Sequence, residues 1–376
     1  MPGLLPDVDP DGLLEYSVVY TDRALNHMSA KFQRVMNEIS AQLKQVYHAR
    51  SVAIVPGGGT FAMEAVARQF ASGRPVLVVR NGFFSFRWSQ ILQAGAIASE
   101  EGVLSARASS AEPASAFAPA PLAEVTAEIE RLRPAVVFAP HVETASGIVL
   151  PDDYLRGLAR AVRSVDGLLV IDCIASGALF LDMAELGIDV LLSAPQKGWS
   201  ASPCAGLVML NERARERIDS TQSSSFACDL RKWLQVMEAY EAGGHMYHAT
   251  MPTDALTHLH AALGESAAFG FEKLESAQWQ LSERAREALE RADFASVAAD
   301  GFKAPSVVVS YADSPELATG KRFRELGLQV AAGVPLQCGE PASFQSFRIG
   351  LFGLDKLQHV ERTFETFQNA LSRLRT

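Results

Sequence analysis

Lys197 stands in Ser193-Ala194-Pro195-Gln196-Lys197-Gly198-Trp199, between the largely apolar runs Ile188 to Leu192 and Cys204 to Leu210. Before them comes Leu168-Leu169-Val170-Ile171-Asp172, a predicted strand that ends in a carboxylate. A lysine and an acid thus both fall just beyond predicted strands, at the edge where open α/β sheets bind ligands. A lysine there can form a Schiff base with a carbonyl cofactor, and an acid there can hold a pyridinium nitrogen. The pair points to pyridoxal 5'-phosphate.

Two more groups fit that chemistry. Gly57-Gly58-Gly59-Thr60 joins the predicted strand Val52 to Val55 to a helical stretch, Phe61 to Phe70. Glycines let backbone N–H groups approach an anion, and a helix N-terminus adds unpaired donors and a favourable dipole. The run is neither a P-loop nor a dinucleotide fingerprint. Arg348 lies in Ser346-Phe347-Arg348-Ile349-Gly350, an apolar strand-like stretch. A guanidinium there must be paired, and its planar fork suits a carboxylate. Taken singly, these residues have plainer readings: a glycine turn, a helix-capping acid, a solvated lysine and a structural salt bridge.

The elements that must position them alternate. Lys31 to Ala49 has helical spacing, Val76 to Val79 and Pro134 to Ala139 are predicted strands, and the alternation continues to Leu210. This predicts an α/β fold, a mainly parallel sheet covered by helices. Residues 104–121, rich in Ala, Ser and Pro, are expected to form a surface excursion. Leu256 to Arg291 reads as mostly helical. Beyond it Ser306 to Ser310 and Phe347 to Ile349 read as strands, and Lys356 to Leu374 as a closing helix. The expected organisation is an arm at 1–20, a large domain at 21–255 and a smaller α+β domain at 256–376.

Composition narrows the class. The chain has 376 residues, 48% hydrophobic and 20% charged, which suits a soluble two-domain protein. Its formal charge of −9 argues against nucleic acid or an anionic membrane as the main partner. Four cysteines without a C-x-x-C pair fit reduced thiols. Met1 to Pro10 lacks the features of a signal peptide, and no apolar run reaches the length of a membrane span, so the cytoplasm is expected. The histidines form no H-E-x-x-H site, so no metal is expected, and no G-x-S-x-G elbow is present.

In order and spacing, from about residue 25 to the C-terminus, these motifs resemble the class V aminotransferases of the fold-type I pyridoxal-phosphate superfamily. The alanine–glyoxylate and serine–pyruvate aminotransferase branch is the nearest in appearance. The resemblance implies that Gly58, Gly59 and Thr60 meet the cofactor phosphate. Asn81-Gly82-Phe83-Phe84-Ser85 looks like the segment whose aromatic residue, here Phe84, stacks on the pyridine ring. His141-Val142-Glu143-Thr144-Ala145-Ser146-Gly147 is similar to a family loop in which Thr144 would reach the 3′-oxygen or the phosphate side, with Glu143 holding the loop. Asp172 would pair with the ring nitrogen, Gln196 would precede the Schiff-base Lys197, and Arg348 would bind the substrate carboxylate. Tyr247-His248-Ala249-Thr250 resembles a segment whose Tyr and Thr reach the partner's cofactor in a homodimer with a shared site, which assigns Tyr247 and Thr250 to cofactor binding.

The sequence departs from the family at three places. Thr21 to Asn26 stands where relatives carry Pro-Gly-Pro close to the substrate, which makes Asn26 a substrate-binding candidate and leaves the amino donor open. Pro195 replaces a common serine, and Phe84 replaces tryptophan. The implied activity is a ping-pong transfer of an amino group from a small amino acid to a 2-oxo acid, glyoxylate or pyruvate, through a Lys197 Schiff base. One rival is a cysteine desulfurase-like lyase, for which Cys338, ten residues before Arg348, would be the nucleophile. The other is a cofactor-bound regulator without turnover.

Overall fold

The structure is a computed structural model and describes residues 4–374. The first three residues of the expected arm and the last two of the expected C-terminal domain lie outside the described residues. Numbering the strands of the two main sheets in chain order, the large sheet comprises β1 (Ser51–Pro56), β2 (Pro75–Arg80), β3 (Glu100–Ser105), β4 (Val136–Pro140), β5 (Leu168–Asp172), β6 (Val190–Ser193) and β7 (Ala205–Leu210). Their spatial order is β1-β7-β6-β5-β4-β2-β3. The middle strands β4, β5 and β6 are buried along their whole length, as expected of a sheet covered on both faces.

Only β7 runs against the others: it pairs antiparallel with both β6 and β1, while β6-β5-β4-β2-β3 are parallel. The chain leaves β6 and turns straight back as β7 without a crossover helix. Lys197 is in that return loop. The other six strands therefore end at one edge of the sheet, and their connections meet there. The strand order switches between β2 and β4, with β3 on the far side of β2, which makes this edge the place for a ligand.

Helices α1 (Ala30–Tyr47) and α2 (Gly59–Phe70) fall where the sequence places helical stretches, and α3 (Phe83–Ala94) follows β2. On α1, Phe32, Val35, Met36, Ile39 and Leu43 are buried along one face, as helical spacing requires, and Ser29 caps the helix by accepting from the Phe32 N–H. Leu256 to Arg291 is two helices, Thr253–Phe269 and Phe271–Arg291, broken at Gly270. Leu256, Leu259 and Leu263 pack into the core of the large sheet, whereas Leu274, Leu281 and Leu289 pack into a second core with Phe347, Ile349 and Phe364. The expected division after residue 255 falls within the first of these helices, and the packing changes at Gly270.

The second sheet is small and antiparallel: β8 (Val307–Tyr311), β9 (Ala331–Ala332) and β10 (Ser346–Gly350), in the order β8-β10-β9. It is tied to the loops of the large sheet. The Ser306 hydroxyl donates to the Ala175 carbonyl (2.6 Å), and the Ala304 N–H to the Gly147 carbonyl (2.8 Å). Residues 104–121 include an exposed stretch, 107–114, as expected of a surface excursion, and are anchored at their end. They carry a hairpin, Arg107–Ala108 with Phe117–Ala118, and the buried Phe117 pairs with Ala298. No helix among the described residues is long and apolar enough to cross a membrane.

Helix α2 lies directly on β7, where an ideal Cβ on Gly206 would come within 2.3 Å of the Ala62 Cβ. Gly206→Ala is expected to destabilise the protein by about 1–3 kcal/mol through overpacking. Urea unfolding checks it, and an unchanged midpoint would contradict the close approach.

Candidate active site

The loops at the shared edge enclose a cavity of about 210 Å³ lined by residues that include Gly59, Thr60, Phe84, Thr144, Asp172, Gln196 and Lys197. Seven sequence-predicted site residues, from five separate loops, thus line one space. Each is placed by a local device.

Lys197 is fixed through its neighbours. Trp199 is buried against Phe180 and Tyr47, and its indole N–H donates to Ser193 Oγ (3.1 Å). The Ala201 N–H closes the loop onto the Pro195 carbonyl (3.0 Å). Lys197 Nζ lies 5.1 Å from the Phe352 ring centroid. Burial first, then the Arg348 charge and, more weakly, that of Arg87, hold its pKa below the usual lysine value, with Asp172 opposing them. The shift is in the direction of the neutral, nucleophilic amine.

Asp172 ends β5, where its Oδ1 accepts from the Ile174 N–H (2.8 Å) and turns the chain. Burial pushes its pKa up to about 6, with Glu143 adding to the rise and Arg87 and Lys197 opposing it. A cation brought to this carboxylate would return it to the charged form.

Gly57 has φ +119°, which an L side chain rarely adopts, and it turns β1 into α2. Gly59 and Thr60, the first two residues of α2, line the cavity, and a helix leaves their amides without internal acceptors. Gly58 caps this helix and does not line the cavity.

Phe84 is set by Glu143. That buried carboxylate accepts from the Phe84 N–H (3.3 Å), the Ser85 N–H (2.8 Å), Ser85 Oγ (2.7 Å) and the Ala145 N–H (2.9 Å). It joins the start of α3 to the loop after β4, the loop-holding role expected of it. His141 hydrogen-bonds Ser176 Oγ through Nδ1 (2.7 Å), and burial lowers its pKa to about 3, so the ring is neutral.

Arg348 lies on β10, not in the cavity lining. Its Nε donates to the Ala332 carbonyl (2.8 Å), and its guanidinium carbon is 5.4 Å from the Phe84 ring centroid. The reading of the sequence passed over Arg87. This residue lines the cavity, donates from Nη1 to Thr60 Oγ1 (3.0 Å) and lies 5.3 Å from the Phe84 centroid. The available signal was helical spacing, since Arg87 follows Phe84 by three positions and so shares its face.

Besides Gly58 and Arg348, four predicted residues lie outside this lining: Asn26, Tyr247, Thr250 and Cys338. The buried Asn26 gives its amide to Glu15 Oε2 (2.8 Å) and Ser17 Oγ (3.2 Å) and accepts from the Met28 N–H (2.9 Å). Tyr247 is half exposed, and its hydroxyl pairs with that of the exposed Thr250 (3.2 Å). Cys338 is held against the Arg80 and Leu336 carbonyls, both at 3.6 Å, and burial raises its thiol to about 12. A thiol in that state is packing, not a mobile nucleophile.

Pyridoxal phosphate presents an aldehyde, a basic ring nitrogen, a flat ring and a phosphate. The cavity offers an amine of lowered pKa, a buried carboxylate with one oxygen used by the backbone, an aromatic face and a helix N-terminus beside a hydroxyl and a guanidinium. The donor set fits the group. A larger cleft of about 750 Å³ does not, since carboxylates such as Asp152, Glu185, Glu275, Glu283 and Glu287 dominate its lining and would repel an anion.

Comparison with known proteins agrees. The sequence profile of the aminotransferase class-V family matches residues 13–343, and the chain belongs to that family. It is 27% identical over 335 residues to the soluble hydrogenase small subunit of Synechococcus sp. (strain PCC 6716), covering 88% of this chain and 82% of that protein. It is 27% identical over 376 residues to alanine–glyoxylate aminotransferase 1 of Saccharomyces cerevisiae, covering 93% of this chain and 92% of that one. Among solved structures, alanine–glyoxylate aminotransferase from Nostoc sp. superposes with a TM-score of 0.78 at 24% identity, covering 93% of this chain and 89% of that one, which shows a shared fold. The α/β architecture is that of the fold-type I enzymes, as the sequence implied.

Replacing Arg348 with Met removes a cation that opposes protonation of Lys197. The lysine pKa should rise, and with it the pH midpoint for capture of an aldehyde by the ligand-free protein, measured against Lys197→Ala as blank. A midpoint that stays put or falls would contradict the electrostatic coupling.

Proposed function

We propose that this class-V aminotransferase binds pyridoxal 5'-phosphate at Lys197 and moves an amino group from a small amino acid to a 2-oxo acid, glyoxylate or pyruvate, by a ping-pong route. The observation that carries the reading is the convergence of Lys197, Asp172, Phe84 and the N-terminus of α2 on one cavity. The family match and the likeness to alanine–glyoxylate aminotransferases support it.

When bound, the cofactor supplies an electron-poor ring that accepts the amino group reversibly and holds the electrons released from a breaking Cα–H bond. The chain's own residues do the rest. Asp172, ionised, takes a hydrogen bond from the ring nitrogen and keeps its proton in place. Phe84 covers one ring face, worth about 0.5–1.5 kcal/mol beyond burial. Thr144 and Gln196, the latter next to Lys197 in the chain, complete the polar lining. Arg348 binds the substrate carboxylate and so aligns Cα with the Lys197 amine. Lys197, once displaced, removes the Cα proton and returns it on the same face.

The shared site of a homodimer belongs to this reading. Tyr247 and Thr250 are exposed, and so are Leu13, Leu14, Tyr16 and Val18 of the N-terminal segment, large side chains that a second copy would cover. The N-terminal segment contacts the chain just beyond Thr250, with the Tyr20 hydroxyl on the Met251 carbonyl (3.0 Å) and the Leu25 N–H on Asp254 (3.0 Å). Through that contact Asn26 would act near a partner's substrate. A large and a small domain, with the arm at 1–20, and a cytoplasmic location complete the proposal.

A panel of amino acids read by the cofactor's absorbance tests it: one donor should bleach the visible band and leave its 2-oxo acid. Lys197→Ala should lose about 10²–10⁴-fold in rate from proton transfer alone. Normal turnover in that variant, or no spectral change with any donor, would defeat the proposal.

A further inference from the structure

The phosphate end of the cavity poses a charge problem. A phosphate monoester carries about −1.5 to −2 at neutral pH. The N-terminus of α2 offers only about half a positive charge. Asp172, a carboxylate, lines the same cavity and offers an anion no counter-charge. Among the described residues lining the cavity, the cations are Lys197 and Arg87. The Lys197 nitrogen is the reacting atom and is unavailable for ion pairing. Arg348 lies outside the lining and is engaged with Ala332.

We infer that Arg87 is the cation that binds the phosphate of pyridoxal phosphate within the chain, acting together with Thr60 and the first amides of α2. This rests on the cofactor reading above. The position is already built. The Arg87 Nη1 is 3.0 Å from Thr60 Oγ1, at the start of α2, and the same guanidinium lies against Phe84. Helix α3 delivers both residues from one face, and Glu143 anchors the start of that helix. A guanidinium presents several N–H groups in a fixed plane, so it can keep the Thr60 contact and still donate to phosphate oxygens. Its half-buried place lowers the competing dielectric of water.

The test compares pyridoxal phosphate with pyridoxal, which lacks only the phosphate. Each is titrated into cofactor-stripped full-length protein, followed by absorbance, in wild type, Arg87→Gln and Arg87→Lys. The expected result is a loss in affinity for pyridoxal phosphate in Arg87→Gln at least tenfold greater than any loss for pyridoxal, with partial recovery in Arg87→Lys. Equal losses for both ligands would mean that Arg87 only positions Phe84, and would overturn the inference. So would unchanged pyridoxal phosphate affinity with a raised KM for the amino acid, which would make Arg87 a substrate clamp. Failure of the wild type to bind pyridoxal phosphate would instead defeat the cofactor reading itself, and this inference with it.

Discussion

Strand direction is the constraint on which the site depends. Six of the seven strands of the large sheet run the same way, so their carboxyl ends open onto one edge. Loops distant in sequence then face one another: 57–60 after β1, 81–85 after β2, 141–147 after β4, 172–176 after β5 and 194–204 after β6. The reversed β7 serves the same end. It lets the chain turn back at Lys197 without a covering helix, which keeps the amine on the cavity side.

Within that edge, opposed buried charges set the chemistry. Lys197 is held toward its neutral form by burial, Arg348 and Arg87, while Asp172 and Glu143 are raised by burial. Five ionisable groups so close are costly unless hydrogen-bonded or paired. Glu143 meets that cost with four donors from the backbone and Ser85. Asp172 has one backbone donor and a face on the cavity, a state suited to receiving a cationic ring nitrogen. The second sheet completes the arrangement by carrying Arg348 to within reach of Phe84, through contacts such as Ser306 to Ala175.

The sequence determined which residues could react and which elements would hold them. A strand buried on both faces must be apolar throughout, so Leu168 to Ile171 announced itself, and Asp172 stood out as the acid at its end. The same local rule located Lys197 between two runs, and the α1 face was legible because helical periodicity is a property of neighbours. Tertiary structure decided what depends on partners far along the chain. Arg87 carried no strand-end or glycine signal, and its meaning comes from Thr60, which another loop brings to it. Asn26 is committed to Glu15 and Ser17, a pairing that no spacing rule foretells. The break at Gly270 is a change of packing partner within a stretch that reads as one helix, and the antiparallel β7 is a change of direction that its composition does not encode. Local pattern fixes burial and periodicity, while the choice among possible partners is made only when the loops meet.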